Sequence, residues 1–221
     1  MWLLKVLICM CVFNVTDGLL QHRNLRSSTR GLPRYMTMKL ESITVEPIST
    51  ISGEVTLPGS KSLSNRVLLL AAVSEGTTVV DNLLDSDDIR YMVGALNQLK
   101  IPCDVDFDKK QAIVTGTGGP IKISFPETLD LGNAGTAMRP LCGVLCAGEG
   151  EFTLDGTPRM RERPIVDLVD GLKQIGVDIT CSDTGCPPVV IKAKGVNGGS
   201  AEISGQISSQ YLSALLMMSP L

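Results

Sequence analysis

Pro58-Gly-Ser-Lys-Ser-Leu-Ser-Asn-Arg66 is the stretch from which the fold is read. A strand-like run, Gly53-Glu-Val-Thr-Leu57, delivers the chain to a Pro-Gly turn, and an apolar helical pattern, Val67-Leu-Leu-Leu-Ala-Ala-Val73, follows. A helix start leaves backbone N–H groups unpaired and carries partial positive charge, which suits a phosphate or carboxylate. Lys61 adds a point charge, Arg66 a planar fork that can grip a carboxylate twice, and Ser60 and Ser62 neutral donors. Alone, the stretch would read as an ordinary serine-capped helix with solvated basic residues.

It is not alone. Leu131-Gly-Asn-Ala-Gly-Thr-Ala-Met-Arg-Pro140 again runs from a strand end through glycines into an apolar helix. Ile203-Ser-Gly-Gln-Ile-Ser-Ser-Gln-Tyr-Leu212 does so a third time, with Ser208, Ser209 and Gln210 at the start. Lys61, Gly135 and Ser209 are spaced by 74 residues in each case. Ala95-Leu-Asn-Gln-Leu-Lys-Ile101 echoes Gly171-Leu-Lys-Gln-Ile-Gly-Val177, and Gly76–Asp81 echoes Gly150–Asp155. The period exceeds that of the common solenoid repeats. Each unit reads strand, helix, strand, helix, strand, strand.

Alternation and β-branched content predict strands at Gly53–Leu57, Thr77–Asp81, Cys103–Phe107, Ala112–Thr115, Phe152–Asp155, Val177–Thr180, Val189–Lys192 and Ala201–Ile203. Helices are expected over 62–74, 87–99, 134–147, 164–175 and 208–218. Ser86 reads as an N-cap ahead of Asp87 and Asp88, and Pro164 as a first helical residue. The expectation is an α/β chain with mixed (α+β) sheets and helices packed on them, about two and a third βαβαββ units. The third unit breaks off after its first helix, so the sequence reads as a fragment: residues 41–221 form the N-terminal part of a domain.

The 221 residues are 43% hydrophobic and only 4% aromatic, which predicts an aliphatic core. Residues 1–40 carry a formal +5 and the remainder −8. With no basic stripe interleaved with aromatics, nucleic-acid binding is not expected. Seven cysteines include no CxxC pair, and the single histidine is His22, so no metal site is expected. The odd count suggests reduced thiols, with Cys142 and Cys146 as small buried residues on one helix face. Trp2–Phe13 is too short for a membrane span and resembles a secretory apolar region, whereas Arg23–Arg30 is Arg- and Ser-rich like a transit peptide. The two signals conflict, and a wrong gene start would produce either; residues 1–40 therefore read as a targeting or extension segment outside the fold.

Pro58-Gly-Ser-Lys-Ser lacks the glycine pattern of a nucleotide-binding P-loop, and Thr115–Pro120 reads as a turn between strands. Asp85, Asp87 and Asp88 read as capping acids. Arg159-Met-Arg-Glu-Arg-Pro-Ile165 places three arginines ahead of a helix, with Glu162 available to hold one and another free to reach an anion at the sheet end.

From about Ile51 to Leu221 the chain resembles the N-terminal half of the 5-enolpyruvylshikimate-3-phosphate synthase family, most of all its plant form. The resemblance is carried by LPGSKSLSNR, EGTTVVDNLLDSDDI, LGNAGTAMRPL, DGTPRMRERPI, LVDGLKQIG and GQISSQYLSALLM. UDP-N-acetylglucosamine enolpyruvyl transferase shares the fold but lacks the SKSLSNR serines and arginine, and ranks as a distant alternative. The resemblance implies a plastid enzyme of aromatic amino acid biosynthesis with two such domains. It moves the carboxyvinyl group of phosphoenolpyruvate to the 5-hydroxyl of shikimate 3-phosphate through a tetrahedral intermediate, with no metal or cofactor. It also implies competition by glyphosate for the phosphoenolpyruvate position.

Carried over by motif, Lys61 contacts both substrates, and Ser62 and Arg66 hold the shikimate moiety, Arg66 on its carboxylate. Gly135 offers backbone to phosphoenolpyruvate, and Arg163 grips it. Ser208 and Ser209 bind the shikimate phosphate, and Gln210 sits between the ligands. The family's proton acceptor and C-terminal ligands lie in the half this sequence lacks, so no catalytic acid–base residue is assigned. Asp130 departs from the family, which has a bulky apolar residue there; a carboxylate so near an anion site weakens it unless it points away or is paired. The other reading, from a different class, is a non-catalytic domain that binds shikimate 3-phosphate weakly.

Overall fold

The structure is a computed structural model that describes residues 47, 49–204 and 206–221. The expectations for residues 1–40, including Cys9, Cys11 and His22, lie outside them. Contact density separates Met1–Gly53 from Glu54–Leu221, and the architecture below belongs to the second part.

The first unit comprises α1 (Lys61–Val73), β1 (Thr77–Val80), α2 (Asp87–Gln98), β2 (Cys103–Asp106) and β3 (Gln111–Thr115). Its sheet has the order β1-β3-β2 and is antiparallel throughout, with Thr77 opposite Thr115 and Cys103 opposite Val114. The second unit comprises β4 (Glu127–Asp130), α3 (Gly135–Cys146), β5 (Glu149–Asp155), α4 (Val166–Gln174), β6 (Asp178–Thr180) and β7 (Val189–Lys194). Its sheet runs β4-β5-β7-β6, with β4 parallel to β5 and the other pairs antiparallel, so the expected mixed sheet is present here. Helix α5 (Ser209–Met218) follows. Helices α1, α3 and α5 begin at Lys61, Gly135 and Ser209, the three positions that the 74-residue period picks out.

Helix α3 is the centre of the core. Every residue of it except Thr136 is buried, as expected of a helix that is apolar on all sides. It packs on α1, α2, α4, α5, β5 and β7. Fully burying each Leu or Val there contributes about 1.5–3 kcal/mol relative to exposure. At Gly143 a Cβ would stand 2.7 Å from the Ala214 carbonyl oxygen, so α3 and α5 meet backbone against backbone. Cys142 and Cys146 are buried on this helix, and the Cys146 thiol donates to the Cys142 carbonyl at 3.0 Å. That hydrogen-bonded pairing, then burial, pushes the Cys146 thiol well above its ordinary pKa; burial raises Cys103 to about 11. Cys103, Cys142, Cys146, Cys181 and Cys186 are all free thiols.

Four expectations are corrected. Gly53–Leu57 and Ala201–Ile203 form no strand: neither finds a partner among the described residues, and Val55 and Leu57 stay 79% and 76% exposed. Strand β4 is the strand whose end the sequence marks ahead of Leu131, and Leu129 is its only buried residue. Ser86 occupies the N-cap position of α2, yet its buried hydroxyl makes no capping bond. Pro164 lies ahead of α4 rather than inside it, and its carbonyl accepts from Arg139 Nη2 at 3.1 Å and from the Tyr211 hydroxyl at 2.7 Å.

Candidate functional site

The starts of α1 and α3 converge on a cleft of about 460 Å³ lined by Lys61, Asp88, Gly135, Thr136, Thr157 and Arg163, among others. A chain of side-chain contacts ties the first three helices together. Lys61 Nζ lies 3.3 Å from Asp88 Oδ2, Thr136 Oγ1 donates to the same oxygen at 2.9 Å, and Asn65 Nδ2 donates to Thr136 Oγ1 at 2.8 Å. Asp88 is therefore a cleft residue rather than merely a capping acid. Asp85, by contrast, pairs with Arg90 on the surface.

Helix α5 joins through two arginines. Arg66 Nη2 donates to Ser213 Oγ at 3.0 Å, and Arg139 Nη1 donates to Gln210 Oε1 at 3.1 Å. Arg139 is only 6% exposed, its Nε has no partner, and its guanidinium lies 5.7 Å from the Tyr211 ring centroid. Gly135 sets the spacing. A Cβ built there would lie 2.5 Å from Arg163 Nη2 and 2.6 Å from Arg139 Nη1, so both guanidinium groups close on the space that only glycine leaves empty.

The three arginines ahead of α4 have three different jobs. Arg159 pairs with Glu162 at 2.5 Å, the holding role expected of Glu162. Arg161 forks onto Asp155, with Nε 2.9 Å from Oδ1 and Nη2 2.5 Å from Oδ2. Arg163 turns to the cleft and donates to the Asn133 carbonyl at 2.9 Å. Burial, then the nearby Arg139 charge, lowers the Arg163 pKa from its ordinary value, although a guanidinium stays protonated at neutral pH. Of the six arginines from Arg66 onward, Arg90, Arg159 and Arg161 pair with carboxylates; Arg66, Arg139 and Arg163 pair with none among the described residues, and all three adjoin the helix starts.

Lys61, Gly135 and Arg163 line the cleft. Arg66 and Gln210 adjoin it through Ser213 and Arg139. Ser208 is the N-cap of α5 and accepts from Gln210 N at 3.2 Å, Ser209 is its exposed first residue, and Ser62 is half-buried in the first turn of α1. Sequence reasoning takes Asp88 only as a capping acid and Thr136 only as part of the Gly135 motif, and misses Arg139. The signal for Arg139 was available: it is a charged residue inside an otherwise apolar helix, one turn beyond Gly135. No cluster of His, Cys, Asp or Glu among the described residues is placed to hold a metal, and no helix among them is long and apolar enough to cross a membrane.

A sequence profile of EPSP synthase (3-phosphoshikimate 1-carboxyvinyltransferase) matches residues 45–221. The chain belongs to the EPSP synthase family. Among its EPSP synthase relatives, the 3-phosphoshikimate 1-carboxyvinyltransferase of Shewanella denitrificans is 55% identical over 82% of this chain and 43% of its own length. The chloroplastic enzyme of Arabidopsis thaliana is 56% identical over 83% of this chain and 37% of its own length. Bacterial and plant forms are thus about equally similar, and the chain spans less than half the length of either. The EPSP synthase structure from Acinetobacter baumannii superimposes with a TM-score of 0.68 at 28% identity, covering 75% of this chain and 37% of that one. The repeated units are those of the enolpyruvyl transferase fold.

Proposed function

We propose that this chain supplies one wall of the site in which a 3-phosphoshikimate 1-carboxyvinyltransferase moves the carboxyvinyl group of phosphoenolpyruvate to the 5-hydroxyl of shikimate 3-phosphate and releases phosphate. The observation that carries the reading is the sorting of the arginines: three are neutralised by carboxylates outside the cleft, and three that pair with no carboxylate among the described residues stand around the helix starts. Both substrates are polyanions. A preorganised set of guanidinium groups and helix N-termini binds them and stabilises charge that develops as the hydroxyl adds to the enol carbon and phosphate later leaves.

In this reading Arg163 and Lys61 hold phosphoenolpyruvate beside the Gly135 backbone. Arg66 and Ser62 hold the shikimate ring, Ser208 and Ser209 its phosphate, and Gln210 lies between the two ligands. Asp88, which holds Lys61 and Thr136, competes with an anion for Lys61.

In a chain of the relatives' length, Arg66→Ala should weaken shikimate 3-phosphate roughly tenfold to a hundredfold, since a charge-assisted hydrogen bond contributes ~1.5–3 kcal/mol. The 221-residue chain alone should release no phosphate from the substrate pair, because it supplies only one wall. Titration of each ligand and a phosphate-release assay read both outcomes. Unchanged shikimate 3-phosphate affinity in the Arg66 variant would overturn the reading. A plastid location is supported by the chloroplastic relative and is tested by whether residues 1–40 carry a fluorescent reporter into chloroplasts.

A further inference from the structure

Asp130 and Asp155 stand opposite each other at the ends of the parallel strands β4 and β5. Such a pair of like charges in register is unfavourable unless something neutralises it. Arg161 does so: it forks onto Asp155, and the charge of Asp130 further favours its protonated form. Asp130 itself is turned away from the cleft and accepts from Gly132 N at 2.9 Å. Asp130 forms no ion pair among the described residues; its carboxylate is taken up by the Gly132 N–H and lines the hollow beside Arg161 rather than the cleft. Asp130, Asp155 and Arg161 line a small hollow of their own with Thr157, and Thr157 also lines the main cleft, so this one residue divides the two.

The turn between β5 and α4 is fastened at both ends. Thr157 N–H donates to the Gly132 carbonyl at 3.0 Å, Met160 is 1% exposed, and Arg163 N–H donates to the Met160 carbonyl at 3.0 Å. Between those points Met160–Glu162 form a single 3-10 turn, which sends Arg161 and Arg163 to opposite sides. Arg161 is the only side chain on that turn anchored to the sheet by two bonds, and it lies two residues from Arg163.

We propose that Asp155 and Arg161, reinforced by Asp130, are a positioning pair that aims Arg163 into the cleft and keeps Arg161 out of it. Without the fork, Arg161 would be a mobile cation two residues from the site and would compete with Arg163 for the same anion. The role is one of geometry: neither Asp155 nor Arg161 touches the cleft. That Arg163 is an anion ligand rests on the function proposed above; that its orientation depends on Arg161 does not.

The test uses the 221-residue chain with two readouts: the order of the Arg163 Nε–H group by nitrogen relaxation, and the affinity for phosphoenolpyruvate as the probe. Asp155→Asn and Arg161→Gln should each loosen Arg163 and weaken phosphoenolpyruvate roughly twofold to fivefold, the range of a partly exposed ion pair. The double variant should be no worse than either single, because the two act as a unit. Arg161→Lys keeps the charge but loses the fork, and should behave like Arg161→Gln rather than like the parent. A lowered melting temperature with Arg163 as ordered as in the parent would overturn the proposal, as would additive singles or full rescue by lysine. If Asp155→Asn does not fold, Arg161→Lys decides alone. If the parent fails to bind phosphoenolpyruvate while Arg163 still loosens in the variants, the positioning pair stands and the anion-ligand reading falls.

Discussion

In the second unit β4 lies parallel to β5, and Leu131 N–H donates to the Asp155 carbonyl at 2.8 Å, so the chain enters α3 from an anchored strand. In the first unit the stretch one period earlier, 53–56, is unpaired, and the outer edge of β1 is open with Val79 at 53% exposure. Yet α1 starts in the same place relative to its unit as α3 does. Its start is held instead by side chains: Ser60 accepts from Leu63 N at 3.5 Å, Ser64 Oγ accepts from Leu84 N at 3.3 Å, and Asp88 holds Lys61. The backbone therefore fixes the start of α3 at Gly135, whereas side-chain contacts fix the start of α1, among them a Lys61–Asp88 pair that an anion in the cleft can compete for.

The largest test of that contrast is in stability. Phe152→Ala, in the fully buried centre of the β5 strand, should cost about 3–5 kcal/mol. Val79→Ala, on the open edge of β1, should change stability by no more than about 0.5 kcal/mol. Denaturant midpoints of the two variants measure the difference, and equal losses would show that the first unit is as firmly closed as the second.

Next comes the site itself. Gly135→Ala drives a methyl group into the guanidinium groups of Arg163 and Arg139. The Arg163 end can give way, but Arg139 is buried and held by Gln210 and Pro164. Overpacking of this kind costs typically ~1–3 kcal/mol, and in a chain of the relatives' length it should appear as weaker phosphoenolpyruvate binding. Glyphosate, the longer molecule, should lose more than phosphoenolpyruvate in inhibition curves at fixed shikimate 3-phosphate. Equal inhibition of variant and parent would remove Gly135 from the site.

The smallest effect is on pH. Arg161 holds the Asp155 carboxyl below the ordinary carboxylate pKa. Its contribution to stability is therefore full above the unfolded value, near 4, and is lost as pH falls through the depressed folded value. Acid unfolding of Arg161→Gln should begin at higher pH than in the parent, and coincident acid transitions would show that the pair adds nothing to the fold.

The helix starts were legible because each depends on local chemistry, and the 74-residue repeat of Lys61, Gly135 and Ser209 marked all three. The strands were less so. Gly53–Leu57 alternates well but forms no strand without a partner, whereas Glu127–Asp130 alternates poorly and forms one because β5 offers an edge. Pairing is a non-local property that composition within a window does not report. The same limit hid Arg139 and Asp88. Asp88 reads locally as a capping acid and Arg139 as a lone charge in an apolar helix; the role of the first appears only when Thr136, 48 positions later, is folded against it, and that of the second when Gln210, 71 positions later, is. The arginines from 159 to 163 were recognisable as a group, but which one faces the cleft is decided by Asp155 and the 3-10 turn.

The contact of α3 with α5 at Gly143 has a consequence for how sequence variation in this protein is to be read. Position 143 lies two turns beyond Gly135, about 12 Å along the helix, and does not line the cleft. Any side chain there would still push Ala214 away and carry α5 with it, and Gln210 and Ser213 ride on that helix. A saturation screen scored on activity would therefore rank position 143 beside the ligand-binding residues although it has no chemistry of its own. Intolerance in such a screen would map the framework that holds the arginines apart as faithfully as it maps the arginines.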